Sequence, residues 1–231
     1  YSNTTASNNT AVGYQSLYTN TAGSNTAIGY KAGYAFSGTE SYGEVFIGYQ
    51  AGVATTTGNS NTFVGGLTAI ANTTGAHNAT LGAYTLRQNT TGGYNVAIGS
   101  LALQANTTAS NNTAVGYQAG YSNTTGGNNT AVGYQAAYSN TTGYNLVAIG
   151  WKAGYTFNNA SGVDGDVYIG QNAGYAVSTG HDNTYVGNTA GYQTNSGSFN
   201  TALGGSALNA TTTGGYNTAL GWRALFSNTT A

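Results

Sequence analysis

Residues 112–128, NTAVGYQAGYSNTTGGN, are the unit from which the rest of the chain is built, because a recognisable copy returns about every seventeen residues. The mark of each copy is a small or aromatic residue, then Val, Ile or Leu, then Gly. Those glycines are Gly13, Gly29, Gly48, Gly65, Gly82, Gly99, Gly116, Gly133, Gly150, Gly170, Gly187, Gly204 and Gly221, thirteen in all. They are 17 residues apart except for separations of 16 after Gly13, 19 after Gly29 and 20 after Gly150. A fixed short period predicts a solenoid, in which each unit buries its apolar surface only against its neighbours. The fold class expected is all-β, a parallel β-solenoid of about thirteen 17-residue coils. With parallel strands stacked at ~4.8 Å, such a coil number gives a rod on the order of 60 Å long.

The residue before each glycine is aliphatic in every copy, from Val12 and Ile28 through Ile98 and Val115 to Leu203 and Leu220. That regularity reads as a core column, with the Thr or Val two residues earlier on the same face of the strand. The residue between them is mostly Ala but becomes Phe46, Phe63, Tyr168 and Tyr185, and a site that admits both Ala and Tyr reads as outward. Under this assignment Ile98→Asp or Val115→Asp unfolds the local coils. Three residues after the glycine the column is Ala, Ser or Thr, which predicts a cramped inward site. The Asn four residues before the glycine recurs in ten copies, with Glu44, Leu146 and Asp166 as the exceptions. Stacked Asn amides can hydrogen-bond from coil to coil, so this position reads as a corner ladder. The NTTG segments at 72–75, 89–92, 123–126 and 140–143 have turn composition and read as solvated return loops.

A longer period overlies the short one. The two stretched coils, after Gly29 (KAGYAFSGTESYGEVFIG) and after Gly150 (KAGYTFNNASGVDGDVYIG), match each other and are followed by matching coils, so seven coils form a duplicated block. The expected organisation is a single solenoid domain over 1–231, with a first, partial block at 1–108 and a second at 109–231. Both ends fall in mid-coil without a polar cap, which fits an excerpt of a longer fibre or a subunit that stacks end to end.

Charge is scarce: four Lys and Arg, five Asp and Glu, net −1. Nucleic-acid binding runs on clustered Lys and Arg, so this composition excludes it. There is no Cys, Met or Pro, which suits an oxidising exterior, and no apolar run approaches the ~18 residues of a membrane span. The lasting aliphatic column argues against a disordered low-complexity tract.

Few groups could converge for catalysis. His77 and His181 each precede a strand about six coils apart and cannot share a metal, and Asp182 beside His181 lacks a nucleophile in a strained turn. The chain is read as no enzyme. Charges gather in the stretched coils, where Glu40 and Glu44 in one block correspond to Asp164 and Asp166 in the other, each with a lysine, Lys31 or Lys152. A calcium ion on these pairs is one reading; a bulged loop neutralised by its lysine is the other, and two carboxylates are too few ligands unaided.

The aromatics form two ladders. The residue after the glycine is Tyr14, Tyr30, Tyr49, Tyr117, Tyr134, Trp151 or Trp222, and four residues further on comes Tyr18, Tyr34, Tyr121, Tyr138, Tyr155, Tyr175, Tyr192 or Phe226. These rings would stack sugars, or fill a seam between chains, which is the preferred reading. Asn72, Asn89, Asn123 and Asn140 head glycosylation sequons that a chain built of NTT produces automatically.

At the NTAVG and NVAIG cores with their NTTG loops, the sequence resembles the head repeats of trimeric autotransporter adhesins and the repeats of bacteriophage tail fibres. The resemblance covers all thirteen copies through a short, degenerate pattern, and coil length and the Tyr ladders depart from it. It implies a left-handed parallel β-roll, three chains side by side, and attachment to surfaces. The function expected is structural: a segment of an extracellular fibre or filament on a cell or virion surface, adhesive towards a surface or glycan. Its partner would be itself, as a head-to-tail filament or homotrimer. Alternatives are a tail-fibre shaft that binds a host surface, and an ice-binding solenoid. Against the last, the adjacent threonines of NTT point to opposite sides and give no paired outward columns.

Overall fold

The computed structural model describes residues 6–38, 43–159 and 165–230, all without helix. It is a parallel β-solenoid whose chain divides into two compact units, Tyr1–Asn111 and Asn112–Ala231. The first contains β1 (Thr10–Val12), β2 (Thr26–Ile28), β3 (Val45–Ile47), β4 (Thr62–Val64), β5 (Ala79–Leu81) and β6 (Val96–Ile98). The second contains β7 (Thr113–Val115), β8 (Thr130–Val132), β9 (Val147–Ile149), β10 (Val167–Ile169), β11 (Thr184–Val186), β12 (Thr201–Leu203) and β13 (Thr218–Leu220). Inside each unit every strand pairs in parallel with the next, and equivalent residues of the repeat face each other, as Val45↔Thr62, Phe46↔Phe63 and Ile47↔Val64 do. The stretched coils keep this register, for Val167 pairs with Val147 across twenty residues. The extra residues therefore leave the strand register unchanged.

The facing of the strand is the reverse of the sequence expectation. Ala97 and Ala114 are 0% exposed and so are Phe46, Phe63, Tyr168 and Tyr185, whereas Ile98 is 38%, Leu203 48% and Leu220 74% exposed. The parity is set one residue before the strand. The Asn four before the glycine is buried, and in an extended chain the residue two places on shares its side. The middle strand residue thus goes in, and the residues on either side of it go out. Ile98→Asp and Val115→Asp therefore alter the surface, not the core.

What lets Ala and Tyr occupy one inward column is a partner column four residues after the glycine. Where the strand carries Ala, that partner is often Leu, as in Leu103 behind Ala97 and Leu208 behind Ala202. Where it carries a ring, the partner shrinks: a Cβ on Gly174 would lie 2.6 Å from Cδ1 of Tyr168, and one on Gly52 would lie 2.6 Å from Cδ1 of Phe46. The small residue three after the glycine is buried as expected, in Ala32, Ala51, Ala102, Ala119, Ala153 and Ala190. It is polar in Ser16, Thr68 and Thr85: Ser16 Oγ donates to Ala27 O at 3.0 Å, and Thr68 Oγ1 lies 2.8 Å from Thr80 Oγ1 and 2.6 Å from Thr85 Oγ1, so three inward hydroxyls satisfy one another.

The marker glycine is required twice over. Its φ is near +134° in Gly48 and Gly116 (134° and 135°), which side chains rarely adopt, and a Cβ on Gly48 would meet the carbonyl of Gly65 in the next coil.

Candidate interaction surfaces

Two amide ladders fix the coil from within and decide what is left outside. The corner Asn accepts at Oδ1 the backbone N–H of the equivalent residue in the next coil, as Asn61 does from Asn78 and Asn78 from Asn95, each at 3.0 Å. Its Nδ2 crosses the interior to a loop carbonyl fourteen residues on: Asn61 to Gly75 (3.0 Å), Asn78 to Gly92 (2.9 Å), Asn183 to Gly197 (2.9 Å). The predicted corner ladder is thus present and faces inward. A second ladder was not anticipated. Asn72, Asn89, Asn106, Asn123 and Asn140, the first residues of the NTT segments, are buried as well, and Nδ2 of Asn89 donates to Oδ1 of Asn72 at 2.7 Å. The return loop is therefore solvated only in part. Its first Thr bonds along the axis, as Thr73 Oγ1 does to Thr90 O (3.0 Å), and its second, such as Thr74 or Thr91, is exposed.

The acids of the stretched coils serve the same ladder. Oε2 of Glu44 accepts the Asn61 N–H at 3.0 Å, while the Glu44 N–H donates to Asn25 Oδ1 at 2.9 Å. Asp166 Oδ1 accepts the Asn183 N–H at 2.9 Å and the Tyr168 hydroxyl at 2.8 Å. Burial pushes the Glu44 carboxyl up to about 7, against the lowering effect of the Asn61 hydrogen bond. The Tyr168 hydroxyl is raised well above its ordinary value by burial first and by Asp166 beside it, and burial pushes Tyr185 up to about 12. Glu44 and Asp166 point inward as surrogates for Asn, which does not suit the calcium reading. Its other two residues, Glu40 and Asp164, lie outside the described residues, and no group of three or more His, Cys, Asp or Glu that could hold a metal occurs among the described ones.

Outside, the strand presents two columns: Thr or Val first, then the aliphatic residue. Thr10, Thr62, Thr201 and Thr218 are exposed, as are Val12, Ile28, Leu81, Ile98, Ile149, Ile169, Leu203 and Leu220. Just past the glycine, Tyr14, Tyr30, Tyr49, Tyr117, Tyr134, Trp151 and Trp222 are exposed in turn. An aliphatic column and an aromatic one thus run side by side along each unit.

The predicted ladders are present as stacks. Tyr14, Tyr30 and Tyr49 lie face to face at 5.6 and 5.3 Å, and Tyr117, Tyr134 and Trp151 at 5.6 and 6.3 Å. The second ladder is tighter: Tyr18 with Tyr34 at 5.2 Å, and Tyr121, Tyr138, Tyr155, Tyr175 and Tyr192 in one run at 5.1 to 5.2 Å. Burial, then the neighbouring Tyr121 and Tyr155, raise Tyr138 above the ordinary phenol range. Because each interior ring spends both faces on its neighbours, sugar stacking is open only at the ends of a run. Arg223 lies over the Phe226 ring, at 4.2 Å.

A third aromatic column escaped sequence reading because its members vary: His77 stacks on Tyr94 at 4.7 Å, and Phe199 on Tyr216 at 4.9 Å. His181 joins Phe199 edge-on and lies 3.0 Å from Asp182 Oδ2 at the surface. His77 is thus a member of this column, while His181 stands one residue before the column's position, which Asp182 fills. No helix among the described residues is long and apolar enough to cross a membrane. No protein-family model, curated protein or solved structure matches the chain.

Proposed function

We propose that this chain is a non-enzymatic structural segment of an extracellular fibre or filament, associating with copies of itself and adhesive towards a surface or glycan. The observation that carries the reading is the outward aliphatic column. A residue that stays Val, Ile or Leu in all thirteen copies while facing water is out of place on a monomer's surface, where contiguous apolar patches mark association sites. The partner with the same axial repeat is a second copy of the chain, which meets a matching contact at every coil. In unit Asn112–Ala231 alone, Ile149, Ile169, Leu203, Leu220, Trp151 and Trp222 are exposed, which amounts to an apolar area on the order of several hundred Å², in the range that one side of a stable interface buries. Electron microscopy of the purified protein tests the reading: fibres or bundled assemblies support it, and particles of single-chain size at every concentration contradict it.

Ice binding is the second reading, and the strand favours it more than the loops did. Thr and an aliphatic residue alternate outward in eight of the thirteen strands, a paired column that the NTT loops do not supply. Val45, Ala79, Val96, Val147 and Val167 interrupt it and bulky rings stand beside it, so self-association is preferred. Thermal hysteresis at micromolar protein would reverse that order.

A further inference from the structure

From three copies of one constellation, we infer that this protein carries binding sites for carboxylated oligosaccharides, of uronic-acid type, centred on Lys152 and Arg223 with a weaker counterpart at Lys31. The sequence motif is glycine, aromatic, Lys or Arg, Ala, Gly or Leu, aromatic: GYKAGY at 29–34, GWKAGY at 150–155 and GWRALF at 221–226. In each, the basic side chain bridges the two aromatic columns. Lys152 Nζ lies 4.8 Å from the Trp151 ring centre and 5.0 Å from that of Tyr155. Arg223 lies 5.3 Å from Trp222 and 4.2 Å from Phe226, and Lys31 5.5 Å from Tyr30 and 5.3 Å from Tyr34. These three are among only four Lys and Arg in the chain. The fourth, Arg87, lies over a single ring, Tyr84, at 5.5 Å, so contact with two rings sets these three apart.

Among the described residues the one ion pair is His181 with Asp182, so these cations lie on ring faces with no carboxylate of the described residues paired to them. A carboxylate arriving from outside meets a cation already positioned by two rings. Ring surface is also on offer. Trp151 ends its stack, because the next residue of that column is Gln171, and Trp222 follows Gly205, whose Cβ would lie 3.3 Å from the indole Cδ1. The indoles can therefore accept the C–H face of a sugar, which the interior tyrosines cannot. In the two coils before Lys152 the basic position is Gln, and Gln135 Nε2 donates to Gln118 Oε1 at 2.7 Å, so a ridge of amides leads up to Lys152. Amides suit sugar hydroxyls. One cation per site matches one carboxylate per sugar and is too sparse for a polyphosphate, whose binding needs clustered bases.

The inference rests on the adhesive part of the function proposed above and names its ligand. Trp151 and Trp222 are the only tryptophans, so intrinsic tryptophan fluorescence reads the two sites directly. The full chain is titrated with tetragalacturonic acid, with neutral maltotetraose and with sodium acetate. The expected result is a saturable fluorescence change with the acidic tetrasaccharide, at least roughly tenfold weaker binding of the neutral one, none with acetate, and weakening by salt. The double variant Lys152→Gln, Arg223→Ser adopts the residue found at that position in the preceding coil, Gln135 and Ser206 respectively, keeps the fold by circular dichroism, and loses the response. An equal response to the neutral sugar, a response to acetate alone, no response at all, or unchanged binding by the double variant would overturn the inference. Adhesion of the wild type to glycan-coated surfaces is measured alongside: if it persists while the tryptophans stay silent, only this inference falls, and if both are absent the adhesive reading falls with it.

Discussion

Asparagine sets the direction of the strand in ten of the thirteen coils, and buried Glu44, Leu146 and Asp166 hold its place in the others. Because the corner Asn needs its amide inside to reach the loop carbonyl, as Asn95 does at Ala109 O (2.9 Å), the residue two places later is carried inside with it. Ala97→Asp is therefore expected to cost several kcal/mol, about 3–5, for an unpaired buried charge, while Ile98→Asp leaves the coil folded. Thermal melts of the two variants followed by circular dichroism check this, and a larger loss in Ile98→Asp would refute the facing. At Glu44 the ladder carries an acid whose folded-state value, about 7, exceeds the ordinary 4.5. A raised acid stabilises the fold in its neutral form. That contribution is fully present below about pH 4.5 and is lost as pH climbs through 7, an effect on the order of 3 kcal/mol. Denaturant titrations between pH 4 and 8 should show stability falling over this window, and Glu44→Gln should flatten the slope. The buried sequon asparagines Asn72, Asn89, Asn123 and Asn140 are 0 to 2% exposed, so folded protein offered an oligosaccharyltransferase should gain no glycan there by mass spectrometry. None of these three outcomes could be read from composition. The sequence shows that a column is invariant but not which side it is on, and aliphatic invariance here comes from the outside.

At the level of the coil, the period, the strands and the corner ladder were all legible, because each follows from residue types that recur at fixed offsets from Gly13 to Gly221. The compensation between the middle strand residue and the residue four after the glycine was not. It is a relation between two variable columns, and neither column looks like core when taken alone. Tyr185 with Gly191 and Ala202 with Leu208 are two solutions of the same space in successive coils. Gly191 has φ +59° and Leu208 φ +50°, so the backbone already accepts the exchange. Tyr185→Ala alone should cost about 3–5 kcal/mol and leave a cavity, and Gly191→Leu alone should collide with the Tyr185 ring. The double variant should recover much of the loss, giving a coupling of about 1–3 kcal/mol in a double-mutant cycle. Additive losses would show that the two columns do not share space.

For the molecule as a whole, few charges and a repeating outward apolar column leave little to oppose association, since net charge is −1 over 231 residues. The aromatic ladders were legible as columns, and their stacking followed from a parallel register that brings equal positions together. The rings stack on one another, and the aliphatic column beside them is the surface that no other column covers. The central claim is that this column is an interface between copies of the chain. It is tested most directly by the mass in solution of the wild type against Leu81→Lys, Ile98→Lys, Leu203→Lys, measured by light scattering at equal concentration. The account predicts a wild-type mass at a multiple of 23.3 kDa and a folded variant at the single-chain value. A wild type that remains at 23.3 kDa at the highest attainable concentration, or a variant that assembles as before, would contradict it.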